Sequence, residues 1–278
     1  MKKALTLLPD SEQLIYETVV LMDKLGAPAK EKIEFLTSRK ITRDDCFTEL
    51  AKAYNQDLQP EKAIATLMSH SFVPCEGGEH AIADQYLFAH LVIGRNALKN
   101  GNVSDALEAF RKGQILPQSL GAGIWNHCKL VPLKYFEAVS LHKLGKKAEA
   151  DEIFTYIATI GIEYFSNMHL KELPYYQACA WKHLGKDIKA QRIITKYRRE
   201  WSKIDSVQDN GFFGTTPFFI SFTDNPKQLR RALHCYLNAL IADFMGDERK
   251  AQALTAESYS LNSDNLSALT FKTQGFLP

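Results

Sequence analysis

Five pairs of small residues, each pair twelve positions apart, constrain this chain more than any other feature in it. They are Ala51/Ala63, Gly94/Ala106, Ala138/Ala150, Ala178/Ala190 and Ala239/Ala251. Between the members of each pair lies a turn signal: Asn55-Gln56-Asp57, Asn100-Gly101, Leu144-Gly145, Leu184-Gly185 and Met245-Gly246. Four positions past the second small residue stands a large apolar one, Leu67, Phe110, Phe154 or Ile194, with Thr255 the exception. Helices approach closely only where the side chains between them are small, so each pair marks a helical hairpin. The stretch from Leu133 to Ile157 carries one whole unit, closed at Leu144-Gly145 and packed by Phe154. A sixth, degenerate copy comes first, with Leu25-Gly26 as its turn, Phe35 as its packing residue, and Val19 and Glu31 in place of the small pair.

This pattern resembles the tetratricopeptide repeat, a helix-turn-helix unit of about 34 residues that stacks into a superhelix. The expected fold is therefore all-α, a tetratricopeptide-like α-α superhelix of about six helical hairpins in one continuous solenoid. Each hairpin in such an array touches mainly its neighbours, so the 278 residues need no division into globular domains. The hairpins read as about 11–38, 43–70, 80–114, 130–163, 171–203 and 226–258, with a short C-terminal cap over 263–271. Ala4 to Asp10 reads as the end of an earlier helix, so the array is expected to begin upstream of residue 1. The small pairs start 43, 44 and 40 residues apart and then 61 apart, which isolates an insert at 205–225 with five phenylalanines between Phe212 and Phe222. Loops of that length are uncommon and usually functional. The insert is expected to fold back on the solenoid, narrowing or plugging its groove.

The composition, 45% hydrophobic and 24% charged, is that of a folded soluble protein. No stretch approaches the roughly 18 to 20 apolar residues of a membrane span, and no secretory leader is legible. The expected location is the cytoplasm, with no membrane partner. A net charge of +2 is too mild to call for nucleic acid, and the run Lys196-Tyr197-Arg198-Arg199 suits the end of a helix. Five widely spaced cysteines with no CxxC argue for reduced, structural thiols rather than disulfides or zinc.

A second resemblance covers nearly the whole chain. LTLLPDSEQLIYE, RDDCFTELAKAYNQ, the EGGE at Glu76 to Glu79, PQSLGAG at Pro117 to Gly123 and the long insert stand in an order similar to the C-terminal repeat region of bacterial proteins with an upstream β-sandwich domain of unknown function. Where that family has tryptophan before EGGE, this chain has Cys75. The resemblance implies a link to carbohydrate metabolism and supplies no catalytic residue.

In a stack of this kind the first helices line the concave face. Three positions before the small residue stand Tyr16, Thr48, Leu91, Tyr135, Tyr175 and Tyr236; five positions after it stand Lys24, Gln56, Lys99, Lys143, His183 and Phe244. Tyr16, Tyr135, Tyr175, Tyr236, Lys99, Lys143 and His183 are the candidate binding residues, because tyrosine offers an apolar face with a hydroxyl. The competing reading is that these tyrosines pack between repeats, since aromatics at helical spacing are more often core than site. Loop candidates are Glu76, Glu79, His80 and Trp125. The first three form the one short cluster with acid-base or metal character, and it supplies too few ligands by itself. No HExxH, Gly-rich phosphate loop or GxSxG elbow is present, so no catalytic residue, metal or cofactor is assigned. The expected function is a non-enzymatic scaffold binding a protein or peptide through its concave face. The alternative is a carbohydrate-linked role, binding a glycan or supporting a β-sandwich domain. Exposed end repeats can stack on another copy, so a homodimer is one expected assembly.

Overall fold

The computed structural model describes residues 2–74, 79–123, 127–161, 171–203 and 225–278, and among the described residues there are helices and no strands. A short helix α1 (Lys2–Leu7) precedes six hairpins. These are α2 (Glu12–Lys24) with α3 (Ala29–Thr37), α4 (Asp44–Gln56) with α5 (Pro60–Met68), and α6 (Glu79–Lys99) with α7 (Val103–Gly113). After them come α8 (Val131–Lys143) with α9 (Lys147–Thr159), α10 (Leu173–His183) with α11 (Asp187–Trp201), and α12 (Pro226–Phe244) with α13 (Glu248–Leu261). One more helix, α14 (Leu266–Gln274), ends the fold.

The small pairs lie where two helices meet. Every alanine of the five pairs is fully buried. Gly94 shows why its position tolerates nothing larger: a Cβ there would sit 2.3 Å from the Phe110 ring, itself fully buried. The aromatic from the second helix thus packs directly on the backbone of the first.

The turns close in one way. In α8, Lys146 N–H donates to the Leu141 carbonyl at 2.9 Å and Gly145 N–H to His142 at 3.1 Å, with Gly145 at φ 78°. This is the double bond of a Schellman C-cap, which needs a left-handed residue. The second hairpin has no glycine and makes the same bonds, Gln59 to Tyr54 at 2.9 Å and Leu58 to Asn55 at 3.1 Å, so Leu58 is forced to φ 56°. That conformation costs a side-chain-bearing residue about 1–2 kcal/mol.

Successive first helices pack on one another from α2 through α4, α6, α8 and α10 to α12, and each second helix packs on the first helix of the next hairpin. This is the tetratricopeptide-like superhelix, with the first helices inside. Lys196, Arg198 and Arg199 are exposed while Tyr197 is buried, so the basic run is a solvated face. Cys46, Cys128, Cys179 and Cys235 are buried and reduced, and burial pushes the Cys46 and Cys179 thiols up to about 12.

Two substitutions test this packing, each read as a change in chemical-denaturation midpoint. Helix propensity alone favours Gly94→Ala by about 1 kcal/mol, but the contact with Phe110 reverses the sign to a net loss of about 1–3 kcal/mol. Leu58→Gly relieves the strained turn and gains about 0.5–1 kcal/mol; a loss there would mean that the strain is absent.

Candidate functional site

The inner face is occupied by the chain's own C-terminal segment. Asn265 caps α14 by accepting from Ala268 N–H at 2.9 Å, and Gly275 at φ 84° ends it. Between them Ala268, Leu269, Thr270 and Phe271 are buried. The helix packs not only on its neighbour α13 but on α4 and α6, far back in the stack.

Side chains from the first helices hold it along its length. At its start, Lys52 pairs with Asp264 at 2.7 Å and with Asp23 at 2.6 Å, and Gln56 donates to the Ser263 carbonyl at 3.2 Å. Lys32 completes this knot by donating to Asp23 and Gln56. Burial opposes the charge on Asp23, but the bond with Asp264 and the charge of Lys52 outweigh it and hold Asp23 well below the usual carboxylate range. Burial drives Asp264 the other way. In the middle, Phe271 lies edge-on to Tyr175 with centroids 6.2 Å apart and stacks with Tyr236 at 6.1 Å.

At the helix end, Arg95 donates to the carbonyls of Gln274, Gly275 and Phe276. Its guanidinium also lies over the rings of Phe136 at 4.7 Å and Phe271 at 5.7 Å. Burial pushes it down to about 10, yet it stays a cation, held by the carbonyls at the negative end of a helix. Gln274 reciprocates by donating to the Val92 carbonyl at 3.2 Å and to Asn96 Oδ1 at 2.7 Å.

The tyrosines read as a candidate stripe belong to this assembly. Tyr135 and Tyr175 are fully buried and Tyr236 is 2% exposed, so none of the three faces an open groove. Burial raises all three phenols, which remain donors. Tyr135 donates to the Pro278 carbonyl at 3.1 Å, Tyr175 to Asp243, and Tyr236 to Glu172 at 3.2 Å. His183, half-buried, stacks on Phe154 at 4.3 Å and meets the same Pro278 carbonyl at 3.2 Å. Tyr16 is partly buried in the first hairpins, 5.9 Å from the Arg43 guanidinium, and Lys99 and Lys143 are exposed. Glu79 and His80 open α6; Glu76, Trp125 and the insert up to residue 224 lie outside the described residues.

Among the described residues, an opening lies beside this segment. A cavity of about 380 Å³ lies among α6, the 3-10 turn His127–Leu130, and the starts of α8, α10 and α14, with α12 behind. Leu87, Phe88, Leu91, Leu133 and Leu233 give it an apolar floor, and Asp84, Lys129, Glu172, Tyr236 and Ser267 give it polar walls. Lys129 and Asp84 form an ion pair at 2.6 Å. Glu172 is 7% exposed, and its Oε1 accepts from Tyr236 at 3.2 Å and Ser267 at 3.1 Å. Burial raises this carboxyl above its ordinary value of 4.5.

Arg95, Lys52, Glu172 and Phe271 were not reached from sequence. One signal was available: the position just after the small residue is apolar in four hairpins, Val20, Val139, Cys179 and Leu240, but cationic in the second and third, Lys52 and Arg95. A cation within a buried phase demands a partner.

Among the described residues no helix is long and apolar enough to cross a membrane, and no group of three or more His, Cys, Asp or Glu is placed to hold a metal. The sequence matches no protein-family model. Among solved structures, a tetratricopeptide repeat protein from Parabacteroides merdae ATCC 43184 aligns over 99% of this chain and 89% of its own, at 16% identity and a TM-score of 0.47.

The raised Glu172 carboxyl sets a pH dependence. The folded state binds its proton more tightly than the unfolded chain, so the stabilisation is full below 4.5 and is lost as pH rises through the raised value. Glu172→Gln keeps an acceptor for both hydroxyls without the buried charge. It is expected to raise the melting temperature at about pH 8, by about 1 kcal/mol equivalent, with the gain shrinking toward about pH 4. An unchanged gap across that range would show that Glu172 keeps its ordinary titration.

Proposed function

We propose that this chain is a non-enzymatic helical-repeat scaffold that holds a protein segment against its first helices. The observation that carries this reading is the seating of residues 263–278 on that face. The anchoring is of a kind that another segment can use. Arg95 reads three main-chain carbonyls at a helix end, Gln274 is met by a carbonyl and an amide of α6, and a single aromatic, Phe271, fills the space among Tyr175, Tyr236 and Arg95. Main-chain contacts at the helix end fix the segment's position, and the apolar face of α14 with Phe271 as its buried anchor is the kind of contact used in helix-in-groove recognition. A partner with an amphipathic helix competes with α14 for this face.

The test uses the full chain and a fluorescein-labelled synthetic peptide of residues 263–278. Phe271→Ala removes an anchor that is 3% exposed. Truncating a buried phenylalanine costs about 3–5 kcal/mol, enough to unseat α14 locally. The variant, with helicity checked by circular dichroism, is expected to bind the wild-type peptide, while the wild-type chain, its face filled, does not. Adding Arg95→Ala is expected to weaken that binding at least about tenfold. A folded Phe271→Ala chain that ignores the peptide would sink the reading.

A further inference from the structure

The cavity beside the N-terminal end of α14 holds a buried carboxylate, Glu172, that makes no ion pair among the described residues. Three of its other charged side chains are paired, Lys129 with Asp84 at 2.6 Å and Asp264 with Lys52 at 2.7 Å. Lys171, at the mouth, is exposed and makes no ion pair with Glu172 among the described residues. Arg95, a buried cation outside the lining, is committed to carbonyls and rings. Among the described residues, two side-chain hydroxyls donate to Glu172, both to the same oxygen, and its own backbone N–H and the charge of Lys171 favour the carboxylate without offsetting its burial. A buried carboxylate with no cation is costly, and such sites are normally completed by one.

We propose that this cavity is a receptor for an alkylammonium group, with the Glu172 carboxylate as its counter-ion and the leucine floor as the bed for its stem. The fit follows from the lining. About 380 Å³ lies in the range of small-ligand sites, and it is too small for a helix. A primary ammonium offers three donors, which suits a wall that presents Glu172 together with the hydroxyl oxygens of Tyr236 and Ser267. Leu87, Leu91, Leu133 and Leu233 are suited to an unbranched chain and reject a fully solvated ion. An anion is excluded by the same carboxylate. The lysine side chain of a partner segment and a free small amine share this chemistry. The first source rests on the segment-binding reading above, and the second does not.

The experiment follows leucine-methyl NMR signals of the full chain during titration with n-butylammonium, n-butanol, butyrate and N-acetyl-lysine N-methylamide at matched millimolar concentrations. The ammonium probes are expected to shift the Leu87, Leu91, Leu133 and Leu233 methyls, with butanol and butyrate weaker by at least about tenfold. Glu172→Gln is expected to erase that preference. Tighter binding of the lysine derivative than of butylammonium would assign the site to a partner's side chain, and the reverse order to a free amine. Equal binding of butanol and butylammonium to the wild-type chain, or shifts at none of these methyls, overturns the proposal without recourse to any variant. Leu269, on α14, reports separately: a shift there means the segment has left its face, which bears on the scaffold reading rather than on the cavity.

Discussion

Everything in this molecule depends on how closely two helices can approach at one residue. Where Phe110 sits on the bare backbone of Gly94, the two helices of a hairpin interlock with no space between them. Alanine pairs do the same in the hairpins around it. Close approach within a hairpin leaves the outer edge of its first helix to meet the first helix of the next. That repeated contact curves the stack and creates an inner face. Dispersion and burial rather than polar contacts carry this frame.

The inner face is then a problem of polar satisfaction. The wall made of first helices carries cations at Lys52 and Arg95, in a phase that other hairpins fill with valine, cysteine or leucine. The C-terminal segment solves it. Asp264 meets Lys52 at one end of α14, and the free carbonyls at the other end meet Arg95. The helix is thus held at both poles by charges matched to its own polarity, a carboxylate before its first turn and a guanidinium after its last. Phe271 between them turns an electrostatic clamp into a packed core. Among the described residues, Glu172 in this layer makes no ion pair and is met by the segment only through Ser267.

The face therefore has two unequal parts. One is closed by a helix that the chain supplies itself, and its residues behave as core: protonated tyrosines, a histidine whose pKa burial lowers, a buried arginine that burial also pushes down. The other is a small opening with charged and hydroxyl groups in its wall. The stripe of Tyr135, Tyr175 and Tyr236 falls in the first part, which is why residues with the composition of a binding surface are buried. Each tyrosine hydroxyl finds an acceptor within the chain, as a buried phenol requires.

The fold class was legible in the sequence because its signals are local. A small pair, a turn and a packing residue all fall within one hairpin, so periodicity and turn chemistry point to the same answer. Even the exception was readable in part: Asn55-Gln56-Asp57 marks a turn without glycine, and the cap geometry then forces Leu58 into the left-handed region. What the inner face holds was not legible, since the bonds that decide it join residues about 180 apart, such as Arg95 with Gly275. No local pattern encodes such a pair, because which first helix a C-terminal segment reaches depends on the curvature of the whole stack. The hairpins, their order and their small-residue seams follow from spacings along the chain. That the last helix returns across the face and that Glu172 ends beside an opening follow from long-range closure, which no local spacing carries.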